Sequence, residues 1–196
     1  MKEPFEWIHS WCDETLQKDL PRVLLIGDSI TLGYHEKVRE LLKGVCYVDY
    51  VATSYAIDTK MYNQLVSTFM ADSNYALIHF NHGLHGIHLS KKSYKSRVNK
   101  LLSKTDTDVK WILANSTIVY REGNKRLNGV WMKRVRERNA AMQELAEEKG
   151  CAIDDLYTVS VAIPKEYRNL DGTHYLAEGY EILAKAIAEC IRKELK

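Results

Sequence analysis

The 196-residue chain reads as an α/β protein, a three-layer α/β/α sandwich built on a five-stranded parallel sheet. Three observations predict this. Short, continuous apolar runs of the kind buried on both faces of a sheet alternate with longer amphipathic stretches. The two kinds of segment follow one another in a regular strand-then-helix order. The length, with 45% hydrophobic and 28% charged residues and only 3 prolines, suits one ordinary globular domain over residues 1–196.

The elements follow in chain order. In MKEPFEWIHSWCDETLQKDL, Trp7 and Trp11 are four residues apart, which places them on one face of a helix. Residues 1–20 are therefore read as an N-terminal helical extension that packs on the body or on a partner subunit, so that a homo-oligomer is an expectation. Five runs read as strands: VLLIG (Val23–Gly27), VCYVDYV (Val45–Val51), YALIHF (Tyr75–Phe80), VKWILA (Val109–Ala114) and CAIDDL (Cys151–Leu156). Helical patterns lie at Tyr34–Leu42, Thr59–Met70, Lys91–Ser103, Val130–Lys149 and Leu176–Leu195. Such a chain most often winds in two directions from its first strand, in the flavodoxin-like order 2-1-3-4-5. Ligands then sit beyond the carboxyl ends of strands one and three.

Composition excludes several partners. The formal net charge is +2, with bases and acids interleaved, so no nucleic-acid surface is indicated. Cys12, Cys46, Cys151 and Cys190 are far apart in sequence, without the spacing of a zinc knuckle or a disulfide framework. Acids interrupt the first 20 residues, where a signal peptide needs an apolar core, and no apolar run reaches membrane-spanning length. A cytoplasmic protein without membrane contact is the expectation.

Two segments carry chemistry. In GDSITLGY (Gly27–Tyr34) a buried strand stops at a glycine, and an acid and a serine lead into a helix. The hydroxyl of Ser29 lies near a helix N-terminus, whose free N–H groups favour developing negative charge. By itself such a serine reads more often as a helix cap. In NLDGTHYLAEGYEILAKAIAECI, Asp171 and His174 stand three residues apart just before the last helix. In a turn Asp171 can hold one nitrogen of His174 while the other addresses a hydroxyl; alone, the same residues also read as a turn and a cap.

GDSI near the start together with DGTHYLAEGYEILAKAI near the end resembles the SGNH, or GDSL, hydrolase family, over Val23 to about Ile191. The resemblance implies a serine esterase of the carbohydrate-acetylesterase-like branch. It implies Ser29 as nucleophile, His174 as general base, Asp171 as the group orienting it, and Asn81, after the third strand, as an oxyanion-hole donor beside the Ser29 backbone N–H. No G-x-S-x-G elbow of the larger α/β-hydrolases occurs. The second family block lacks its glycine: the region reads VATSYAIDTK, so that Tyr55 takes the position by order, its backbone N–H serving as donor. The third block reads HFNH, where only the asparagine remains.

That block lies in HFNHGLHGIH, with His79, His82, His85 and His88 at every third position. H-x-x-H is a ligand spacing, but Gly83 and Gly86 argue against the helix that would align the rings. Neither a metal nor a cofactor is expected. His82 and His85 are read as local structure or substrate contacts. The loop NSTIVYREGNKRLNGVW offers Tyr120, Arg121, Arg126 and Trp131, aromatic and basic groups suited to a sugar or to a solvated loop. The substrate-binding candidates are His82, Tyr120 and Trp131, and the partner is a small-molecule or oligosaccharide ester, with acetyl the favoured acyl group. A lipid or aryl esterase and an acyltransferase stay open. A flavodoxin-like module cradling a phosphate at Ser29 and Thr31 is the reading from another class, and it leaves Asp171 and His174 unused.

Overall fold

A computed structural model describes residues 4–196. Among these residues, six strands form one sheet: β1 (Ile8–Trp11), β2 (Arg22–Gly27), β3 (Tyr47–Thr53), β4 (Tyr75–Asn81), β5 (Lys110–Ala114) and β6 (Ala152–Asp154). The order is β1-β3-β2-β4-β5-β6. The five expected strands are β2 to β6, all parallel and in the order 2-1-3-4-5. The sixth, β1, runs antiparallel along the β3 edge, pairing Ile8 with Thr53 and Trp11 with Tyr50.

This strand corrects the helical extension read over residues 1–20, of which 1–3 lie outside the described residues. The spacing of Trp7 and Trp11 fits a helix face, but four residues is also twice the period of a strand, so the two tryptophans share a strand face equally well. The open edge of β3 decides between them by offering ladder hydrogen bonds that a helix would leave unmade. Trp11 remains exposed, with the Arg39 guanidinium 5.6 Å above its ring.

Six helices flank the sheet among the described residues: α1 (Ser29–Leu41), α2 (Lys60–Asp72), α3 (Lys91–Leu102), α4 (Gly129–Lys149), α5 (Leu156–Ala162) and α6 (Ala177–Glu194). The strand expected over Cys151–Leu156 is shorter, Ala152–Asp154, and α5, absent from the sequence reading, begins at Leu156. Its N-cap is Asp155, whose side chain accepts from the Thr158 N–H and stops the strand.

Residues of β2 alternate between two cores, which is why the run is apolar throughout. Val23 and Leu25 pack with Tyr34 of α1 and Leu183 and Ile187 of α6. Leu24 and Ile26 pack with Tyr62 of α2, Tyr94 of α3 and Met142 of α4. At the carboxyl end, Gly27 of β2 stands in register with Asn81 of β4. The chain leaves the sheet in opposite directions from these two neighbours, and the crevice between their exits is where the two chemistry-bearing segments converge. No described helix is long and apolar enough to cross a membrane.

Candidate active site

Asp28 is the N-cap of α1: one of its carboxylate oxygens accepts the Ile30 N–H at 3.1 Å. With the cap supplied by its neighbour, Ser29 is the first residue of the helix and its hydroxyl is released from capping. It meets His174 instead, Oγ to Nε2 at 2.8 Å, across 145 positions of sequence. Nδ1 of the same ring lies 2.7 Å from Oδ2 of Asp171. A carboxylate only accepts, so Nδ1 carries the proton and Nε2 is the acceptor facing the serine hydroxyl.

The turn holding this pair is shaped by the aspartate itself. Its Oδ1 accepts the N–H groups of Thr173 at 2.8 Å and His174 at 2.9 Å. Burial works against ionisation of Asp171, but these two N–H groups and the imidazole outweigh it and hold the carboxyl below its usual range. The turn is anchored from outside as well. Tyr120 donates its N–H to the Gly172 carbonyl at 2.7 Å, and Gly123 donates to Leu170 at 2.7 Å. The Tyr120 ring lies 4.5 Å under the Arg168 guanidinium, which also donates to carbonyls of Ser160, Val161 and Ile163. Tyr120, a candidate substrate contact by sequence, is thus a support for the Asp171–His174 turn.

Ser29 and His174 open into a small cavity of about 180 Å³, walled by Leu84, His85, Val119, Trp131 and Thr173. Trp131, a substrate-binding candidate by sequence, is one of these lining residues. Asn81 and Tyr55 are not brought into this wall. Asn81 is 2% exposed, and its amide donates to the Tyr34 hydroxyl at 3.4 Å beneath α1. The Tyr55 N–H donates to Oγ1 of Thr53 at 3.2 Å. His82 likewise turns inward, its ring 4.6 Å from that of Tyr62, and burial pushes its pKa down to about 4.

The four evenly spaced histidines do not share one face, although the rings of His82 and His85 stack at 6.0 Å. His79 is fully buried, with Nε2 3.0 Å from Asp154. His82 sits among the tyrosines of the second core, His85 reaches the cavity, and His88 pairs with Asp58 at 2.9 Å on the surface. The passage from strand to loop removes the common face that an even spacing suggests.

Two supports have no local signal in the sequence. Asp28 accepts the N–H groups of Gly83 at 3.2 Å and Leu84 at 3.1 Å through its second oxygen. Arg138 of α4, 1% exposed, donates to the carbonyls of Gly83 and of Gly86, the latter at 2.6 Å, with its guanidinium 5.0 Å over the Tyr94 ring. Trp7, read from the sequence as a packing residue, stands beside the cavity-lining His85. Its backbone exchanges hydrogen bonds with Thr53 and Ser54, and its ring stands edge-on to His85 at 6.3 Å.

The sequence matches no family model and no curated protein. Solved structures do match. An acetylxylan esterase from Geobacillus stearothermophilus superposes with a TM-score of 0.69 at 17% identity, over 87% of this chain and 94% of that one. A lipase/acylhydrolase from Enterococcus faecalis gives 0.64 at 18% identity, over 88% and 96%. The C-terminal catalytic domain of a Streptococcus pneumoniae peptidoglycan O-acetyltransferase gives 0.67 at 20% identity, over 90% and 95%. A protein from Slackia heliotrinireducens described as an SGNH hydrolase gives 0.69 at 18%, over 88% and 100%. The chain shares the fold of these four structures along nearly its whole length.

Proposed function

We propose that this chain is a serine esterase that removes small acyl groups, acetyl above all, from hydroxyls of a carbohydrate. The observation that carries the reading is the unbroken hydrogen-bond chain from the Ser29 hydroxyl through His174 to Asp171, at 2.8 and 2.7 Å. A serine hydroxyl becomes a useful nucleophile only when a base takes its proton as the bond to carbon forms. His174 Nε2 is placed to do so, and Asp171 stabilises the imidazolium that results.

In the first half-reaction Ser29 Oγ bonds to the acyl carbon, its proton passes to His174, and the carbonyl electron pair moves onto oxygen. Collapse of this intermediate expels the alcohol, which takes the proton back from His174. Water then repeats the sequence on the acyl-enzyme and releases the acid. The Ser29 backbone N–H, at the start of α1, is one donor to the transient oxyanion.

Acyl size is supported by the cavity. At about 180 Å³, with Leu84, Val119 and Trp131 as its apolar surfaces, it accommodates an acetyl group and leaves the alcohol outside. Two structural neighbours, an acetylxylan esterase and a peptidoglycan O-acetyltransferase, support a sugar as that alcohol. The second of these also favours an alternative in which a sugar hydroxyl replaces water as acyl acceptor.

The test is hydrolysis of p-nitrophenyl acetate against the hexanoate and decanoate, followed by acetylated xylo-oligosaccharides. Acetate turnover that disappears in Ser29→Ala supports the reading, and full turnover in that variant sinks it. Transfer of acetyl to added oligosaccharide in place of acetate release marks the acyltransferase.

A further inference from the structure

We propose that Asn124 is a positioning residue for the Asp171–His174 pair: its buried amide fixes Asn169, and Asn169 in turn holds the backbone of both residues. The inference rests on the esterase reading above. It begins from a problem of exposure. The side chains of His174 and Asp171 are 36% and 45% exposed, so core packing alone does not locate them. Yet they stand 2.7 Å apart, and His174 meets Ser29 at 2.8 Å. Their position has to come from hydrogen bonds to the turn that carries them.

Those bonds meet at Asn169. Its N–H donates to the His174 carbonyl at 2.9 Å, its Oδ1 accepts the Asp171 N–H at 3.2 Å, and its own carbonyl accepts the Gly172 N–H at 3.2 Å. Asn169 is itself exposed, and a buried group fastens it. Asn124, 7% exposed, donates from Nδ2 to the Asn169 carbonyl at 2.9 Å. A carbonyl only accepts, so the nitrogen end of the amide is the end that faces it.

The chain around Asn124 is bent to make this contact. Gly123 and Asn124 have φ +76° and +55°, two consecutive left-handed residues, a conformation open to glycine and asparagine and costly for most others. Residues 120–124 thereby supply three donors to one short stretch: the Tyr120 and Gly123 N–H groups take the carbonyls of Gly172 and Leu170, and the Asn124 amide takes that of Asn169. The two segments lie too close for a side chain at Gly172. A Cβ there would stand 2.5 Å from the Tyr120 carbonyl oxygen. The Asn124 Oδ1 has no hydrogen-bond partner among the described residues, so one polar contact ties this side chain to the fold, and that contact leads to Asp171 and His174.

The experiment measures kcat and KM for p-nitrophenyl acetate in Asn124→Gly and Asn124→Asp, alone and combined with Asp171→Asn, with thermal melting to confirm folding. Glycine keeps the left-handed backbone and removes the donor; aspartate keeps the size and sets an acceptor against the Asn169 carbonyl. Both are expected to lower kcat by about tenfold, the size of one hydrogen bond, with KM changed far less. In the Asp171→Asn background, where the pair is already broken, the same substitutions are expected to change kcat by less than about twofold, because residues acting through one another are not additive. Ser29-dependent turnover that is indifferent to both substitutions overturns the proposal and leaves the esterase standing. So does an equal loss in both backgrounds, which marks Asn124 as a support of the fold alone. Absence of Ser29-dependent turnover in the wild type overturns both.

Discussion

Leu84 donates its backbone N–H to the carboxylate of Asp28 at 3.1 Å, across 56 positions of sequence. The same carboxylate caps α1 through the Ile30 N–H, so one side chain sets both the entry of the helix that begins with Ser29 and the loop that faces it. Asp28→Asn keeps one oxygen and replaces the other by an NH₂ group, which cannot accept. Either the cap or the loop bond is lost. The variant is expected to be about 1–3 kcal/mol less stable and less active on acetate ester. Urea unfolding together with kcat tests this; wild-type values in both would show that the shared carboxylate holds nothing.

Arg138 is a buried cation whose two terminal nitrogens donate to carbonyls and whose face lies over an aromatic ring. Arg138→Met leaves the Gly83 and Gly86 carbonyls without their donor and is expected to cost about 2–4 kcal/mol. Arg138→Lys keeps the charge but offers a point donor where a fork is needed, and falls between. Equal stability of the lysine variant and wild type in urea would refute the bidentate role.

Asp171 orients His174 and lies largely toward solvent, so its removal acts on rate more than on folding. In Asp171→Asn the amide favours the wrong imidazole tautomer, and kcat is expected to fall by about 10³- to 10⁴-fold with little change in melting temperature. A loss below tenfold would mean that His174 keeps its tautomer by another contact.

His82 makes acid stability measurable. Desolvation lowers its pKa from an ordinary value near 6.5 to about 4, so the folded state prefers the neutral ring. Above pH 6.5 neither state binds the proton and the contribution is whole. As pH falls from 6.5 toward 4 the unfolded chain takes up a proton that the folded chain refuses, and stability declines by up to about 1.4 kcal/mol per pH unit. His82→Phe keeps the packing against Tyr62 and removes the titration. Unfolding free energies between pH 7 and pH 4 are expected to fall less steeply in the variant, and parallel curves would exclude His82 as the source.

From the sequence came the parallel strands β2 to β6, their order from the usual winding of such chains, and the trio Ser29, Asp171 and His174 from the family resemblance. The strands are legible because they are local: apolar periodicity marks a buried strand within a few residues. Tertiary structure decided the rest. Trp7 and Trp11 satisfy a helix and a strand equally, and only the open edge of β3 chooses between them. Arg138 reads along α4 as one more solvated cation, and its burial depends on Tyr94 and on carbonyls 52 and 55 positions away. The even spacing of His79, His82, His85 and His88 contains no direction, because each ring's environment comes from a different, distant part of the chain: Asp154, Tyr62, Trp7 and Asp58. Periodicity specifies which residues lie side by side within an element; which of them meets the reacting atoms is specified by partners that only folding brings near.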